Sequence, residues 1–202
     1  MELLIGLGIL LFSAILHEVM HGWVAEKLGD PTARLMGRLT LNPIPHIDPL
    51  MSIILPALLL LSGSPVIFGA AKPVPVNPLN LHDGKKDMAL VALAGPLTNV
   101  VLAILAAILY KFTSIPFLHF LFSEIVVYNI ILAIINLIPI PPLDGSKVFS
   151  IIMPDDLARQ YLSIERYGFI LLLVLLMFPL GPFSLGGLIN NLLTFSLKLL
   201  GM

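Results

Sequence analysis

The chain has 202 residues, 58% of them hydrophobic and 11% charged, with a mean hydropathy of +1.02 and a formal net charge of −1. Soluble domains carry about a quarter charged residues, so the composition describes an integral membrane protein, and no basic patch exists to neutralise the phosphates of a nucleic acid. The absence of cysteine removes disulfides, zinc knuckles and thiol catalysis.

The first apolar run, Leu3 to Leu28, reaches the roughly 20 residues that cross a hydrocarbon core. Only Glu2 precedes it and no small-residue cleavage site follows, so the run is expected to be a retained span rather than a secretory signal. It carries HEVMH at residues 17–21. Two histidines four apart share one helix face about one turn apart, so His17 and His21 can grip a single ion while Glu18 reaches a water on it. That is the pattern of a hydrolytic zinc site. A charged residue at mid-span costs roughly 2.5 to 3.5 kcal/mol on insertion scales, which disfavours the plainer reading of idle interhelical hydrogen bonds.

Between residues 30 and 87 the apolar run Pro49 to Leu61 is short for a span, and Ser62-Gly63-Ser64-Pro65 interrupts it, so a re-entrant or half-crossing helix is expected. The flanking stretches Met36 to Asn42 and Phe68 to Asn77 read as extended; Pro73 and Pro75 exclude a central strand, leaving a two-stranded edge hairpin near the membrane surface. His46, Asp48, His82 and Asp83 read as loop polarity. Met88 to Tyr110 and Ile115 to Ile135 are further spans. Gly95-Pro96 interrupts the first of these, and Asn99 one turn on either lines a water path or makes an interhelical hydrogen bond. Glu124 and Asn129, five apart, share a face poorly.

A catalytic zinc needs three protein ligands and an open position. The best third candidate lies in NLIPIPPLDG, residues 136–145, where Pro139, Pro141 and Pro142 forbid regular helix and Asp144 precedes Gly145; local sequence alone allows an ordinary turn aspartate equally well. Tyr167 to Phe178 and Phe183 to Leu200 predict two more helices. The expected fold is therefore an all-α polytopic bundle of about five to six hydrophobic helices with a small membrane-associated β-hairpin, forming one domain over residues 1–202.

Lysines and arginines fall in three clusters, Lys27, Arg34 and Arg38, then Lys72, Lys85 and Lys86, then Lys147, Arg159 and Arg166; Lys111 and Lys198 lie apart. The positive-inside bias puts all three clusters in the cytoplasm if the first span ends inside, the second runs outward and the third returns. At 1.5 Å per residue His17 then lies about 21 Å from the outer end of its span and about 16 Å from the inner one. Asp144 follows a span that also ends inside, so both parts of the site meet at comparable depth.

HEVMH, AGPLTN at 94–99 and NLIPIPPLDG together resemble the site-2 protease family of intramembrane zinc metalloproteases, in particular its short bacterial and archaeal members without a sensory domain, as do WVAEKLGDPTARLMGRLTLNPIPHIDP and AKPVPVNP. The resemblance implies a three-span core in a bacterial or archaeal cell membrane, with the active site toward the cytoplasm. It implies that His17, His21 and Asp144 bind one Zn2+, that Glu18 is the general base, and that Asn136 holds the substrate carbonyl or its oxyanion. The implied substrate is a membrane-spanning protein cut inside or at the edge of the lipid bilayer. Its helix must unwind locally, and the extended edges near Met36 to Asn42 or Phe68 to Asn77 are expected to capture the unwound segment by strand addition. The apolar insert Pro49 to Leu61 departs from the simpler linker of some relatives. Two rival readings use the same ligands. A metal transporter would show internal symmetry, which is absent here, and a non-catalytic binder of membrane helices would have no need of Glu18.

Overall fold

The computed structural model describes residues 1–62, 71–178 and 184–202. Three of its helices are long and apolar enough to cross a membrane: α1 (Glu2–Lys27), α4 (Gly84–Phe112) and α5 (Pro116–Leu137). Short helices α2 (Thr32–Leu35) and α3 (Leu55–Leu61) lie between the first two. The chain then continues through α6 (Asp144–Ser150), α7 (Asp155–Ser163), α8 (Glu165–Met177) and α9 (Leu185–Leu200).

Helix α4 is the centre of the bundle. Half of its apolar window is buried, against 22% in α1 and α5, and its inner face is built from Ala89, Ala92, Ala103, Ala106 and Ala107. In lipid, small residues allow the close backbone approach that van der Waals association requires. The alanines at 103, 106 and 107 pack on Val126 and Ile130 of α5, and Leu193 and Leu197 of α9 close over them. The opposite face of α4, with Leu97, Val101, Ile104 and Leu105, is exposed. The α4–α5 connection is only Thr113 to Ile115, with Pro116 opening α5 where its missing N–H costs nothing.

The segment between α1 and α4 returns to its starting point, as the charge pattern requires. The His82 amide donates to the Leu28 carbonyl at 3.2 Å. Fully buried Asp30 accepts from the Asn77 amide at 2.6 Å and from Asn80 Nδ2 at 2.8 Å.

Two expectations need correction. No β-hairpin forms among the described residues: Met36 to Asn42 is turn and bend, and 71–77, the described part of the second stretch, is extended but pairs with no strand. Pro73 and Pro75 have no amide hydrogens, and the neighbouring donors are spent elsewhere: Lys72 N–H on the His46 carbonyl (2.8 Å), Val74 N–H on Glu18 (2.8 Å) and Asn77 N–H on Asp30. These commitments and the two prolines break up any ladder through the described residues. Among the described residues three helices are long and apolar enough to span, below the five to six hydrophobic helices expected. Pro49–Leu61 is helical, a widened turn over Pro49–Ile54 leading into α3, but its 13 residues reach only about 20 Å. The 16 residues of α9 and 13 of α8 are also short of the roughly 30 Å core. The Gly63-Ser64-Pro65 and Pro179 to Pro182 interruptions lie outside the described residues.

Candidate metal centre

Helix α1 carries His17 and His21 on the face that α4 covers, and both are buried. Their rings meet edge to face, 4.6 Å between centroids. They can approach α4 because residue 95 is glycine. A Cβ there would lie 2.5 Å from the Nε2 atoms of both histidines. Asp144 arrives from the far side. The chain leaves α5, turns through Ile138 to Leu143, whose amide donates to the Ile140 carbonyl at 2.9 Å, and starts α6 at Asp144. Gly145 permits that tight return, since any Cβ would collide with the Leu137 carbonyl.

The three sequence-predicted ligands therefore converge. Asp144 Oδ2 lies 3.1 Å from His17 Nε2 and 3.1 Å from His21 Nε2, and the candidate donor atoms of all three residues lie within 4.8 Å of one another. A tetrahedral zinc at 2.0 to 2.2 Å from each donor would separate them by about 3.4 Å.

The hydrogen bonds test whether a cation fits. His21 Nδ1 lies 2.7 Å from the Val91 carbonyl, which can only accept, so Nδ1 carries the proton. His17 Nδ1 donates to Asn99 Oδ1 at 2.6 Å. With both Nδ1 atoms donating, two Nε2 lone pairs and a carboxylate oxygen face one another in a buried site with no donor between them. Such a cluster demands protons or a cation, and metal-bound histidines characteristically donate their other ring N–H in this way. Lys147 Nζ lies 3.6 Å from Asp144 Oδ1 and sets a positive charge beside the carboxylate.

Glu18 is half-buried beside the histidines, its Oε2 accepting the Val74 amide at 2.8 Å. Asn136 is not drawn to the three: its Nδ2 donates to the Leu132 carbonyl of its own helix at 3.0 Å. Asn99 makes the interhelical hydrogen bond to His17. Sequence reasoning missed Val74 and Val91, which act through backbone atoms that no side-chain pattern reveals. It also placed His46 on the surface, whereas the ring is fully buried with Nε2 bonded to the Thr40 carbonyl at 2.9 Å.

Among known proteins, the profile of Peptidase family M50 matches residues 111–178, which include Asp144. The Bacillus subtilis (strain 168) protein named "Putative zinc metalloprotease YwhC" is 37% identical over 191 residues, covering 90% of this chain and 84% of its own length. The chain belongs to peptidase family M50. Further relatives are the proteins named "Putative zinc metalloprotease Rip2" of Mycolicibacterium smegmatis, 30% identical over 84% of this chain, and of Mycobacterium tuberculosis (strain H37Rv), 30% identical over 84%. The chain spans 65% of the length of each of those two, just under two thirds. No solved structure matches significantly. Family and geometry agree on the cofactor: this M50 protein is a membrane metalloprotease relative whose His17, His21 and Asp144 form a group able to hold zinc.

Proposed function

We propose that this chain is a single-domain intramembrane zinc endopeptidase that hydrolyses peptide bonds in membrane-spanning protein substrates. It would act in the cell membrane of a bacterium or archaeon, with its site toward the cytoplasmic side. The observation that carries the reading is the convergence of His17 Nε2, His21 Nε2 and Asp144 Oδ2 beside a glutamate, at a helix–helix seam between two apolar spans.

Bound zinc supplies Lewis acidity and lowers the pKa of water toward about 7. His17, His21 and Asp144 would hold it through Nε2, Nε2 and a carboxylate oxygen. Glu18 takes the proton from water and delivers it to the leaving amine. One of its carboxylate oxygens is fixed by the Val74 amide, and the other would make this transfer. Asn136 has two amide hydrogens and spends one on Leu132; the second is available to the developing oxyanion, a type of contact worth roughly 3 kcal/mol of barrier.

The test is zinc stoichiometry together with cleavage of single-span proteins by purified wild type and Glu18→Gln. The wild type should bind one zinc per chain and cut. The variant should keep the zinc and lose turnover by at least about 100-fold. Equal turnover by the two proteins would reject the assignment, and metal transport that survives the substitution would replace it.

A further inference from the structure

The two histidines are oriented by different means. His21 has a backbone carbonyl on its Nδ1, an acceptor that cannot change role. His17 instead faces an amide side chain, Asn99, which can turn over and present either an oxygen or an NH2 group. With the NH2 presented, His17 would have to accept at Nδ1 and carry its proton at Nε2, where no metal could then bind.

The structure holds Asn99 in the productive orientation through a third residue. Asn129 Nδ2 lies 2.8 Å from the Ile125 carbonyl and 2.9 Å from Ser13 Oγ. The Ile125 carbonyl accepts only, so the NH2 group of Asn129 must point there and its Oδ1 must point to Asn99. Asn99 Nδ2 donates to that oxygen at 2.8 Å, which turns Asn99 Oδ1 to His17. Each step dictates the next, from a backbone carbonyl on α5 to the lone pair at His17 Nε2. Asn99 and Asn129 are both fully buried, and reversing the chain would bring carbonyl oxygens together at Ile125.

We propose that Asn129 is a positioning residue for metal binding: acting through Asn99, it fixes the tautomer of His17. The inference rests on the reading of His17 as a zinc ligand. Asn129 touches neither His17 nor Asp144 in any described contact, and the sequence places it 112 residues from His17.

The experiment measures zinc affinity by chelator competition on full-length purified protein. Asn129→Leu keeps the volume and removes the lock, and should weaken zinc binding about tenfold, at the low end of the roughly 10- to 100-fold typical of outer-shell partners. Ser13→Ala leaves the Ile125 carbonyl in charge and should change affinity by less than about twofold. Combining Asn99→Asp with Asn129→Leu should recover affinity, because a carboxylate has no donor end to present to His17. Nitrogen-15 resonances of the zinc-loaded wild type should show His17 coordinated through Nε2 with a protonated Nδ1, a readout that needs no variant to fold. Unchanged affinity in Asn129→Leu, or His17 coordinated through Nδ1, overturns the proposal. A wild type that takes up no zinc overturns the site assignment instead.

Discussion

Gly95 owes its importance to what surrounds it. Alanine is the better helix former by about 1 kcal/mol, so Gly95→Ala on an isolated α4 would be stabilising. In the protein the added methyl would sit 2.5 Å from both histidine Nε2 atoms, inside the space a metal needs. Gly95→Ala should leave helix content unchanged by circular dichroism and weaken zinc binding by more than about 100-fold, beyond the loss of an outer-shell partner. Retained stoichiometric zinc at micromolar protein would refute this account of the seam. At the residue scale the three side chains able to hold zinc were legible because chemistry confines them. Histidines four apart with a glutamate between are rarely anything else in an apolar span, and Asp144 stands where prolines end the helical pattern. Gly95 was visible only as a helix interruption, since its partners lie 74 and 78 residues away. Asn136 lies in the proline-rich motif but turns to its own helix, where its Nδ2 donates to the Leu132 carbonyl.

Among the elements, the stretch from Asp30 to Asn80 was read least accurately. Its threonines and valines suggested strand pairing, but a strand needs free alternate donors, and here buried acceptors take them. Asp30 is the main acceptor: Thr32, Asn77 and Asn80 all donate to it. Burial raises its pKa, but these hydrogen bonds outweigh that and leave it lowered. A carboxylate with a folded pKa below its unfolded value of about 3.9 stabilises the fold above that value, and the stabilisation is lost as pH falls through the folded pKa. Asp30→Ala should lower stability at neutral pH by about 3 kcal/mol, because the part-buried donors of Thr32, Asn77 and Asn80 lose a charged acceptor. The deficit should shrink below about pH 4, where the wild type loses its own advantage. Thermal melts of both proteins in one detergent from pH 7 to pH 3 would show this, and parallel curves would mean that Asp30 does not hold the segment. The spans were read to within a few residues because apolar length is a direct signal. Amphipathic α7 and short α6 were missed because neither is long or apolar.

At the scale of the whole molecule, the bundle sorts its charge. Nine of the eleven lysines and arginines fall in the three clusters, leaving Lys111 and Lys198. The clusters flank the α1 C-terminus, the α4 N-terminus and the segment after α5, which the Leu28–His82 and Asp30–Asn77 hydrogen bonds and the Asp144–His17 contact draw toward one end. The two outliers share the other end: the α9 terminus reaches Lys111, whose Nζ lies 2.8 Å from where a Cβ on Gly201 would stand. Transmembrane orientation follows the side richer in Lys and Arg, so the end that carries the metal centre should face the cytoplasm. The chain has no cysteine, which makes single cysteines clean reporters. Introduced at exposed Arg34, Lys86 or Arg159, a cysteine should resist a membrane-impermeant maleimide in intact cells and react after lysis, whereas one at Lys111 should react in intact cells. If Lys111→Cys and Lys86→Cys reacted alike, the two ends would not lie on opposite sides of a bilayer and the three-span arrangement would fail. If the pattern came out reversed, the arrangement would stand and the site would open to the outside, so a substrate would be cut near its outer end.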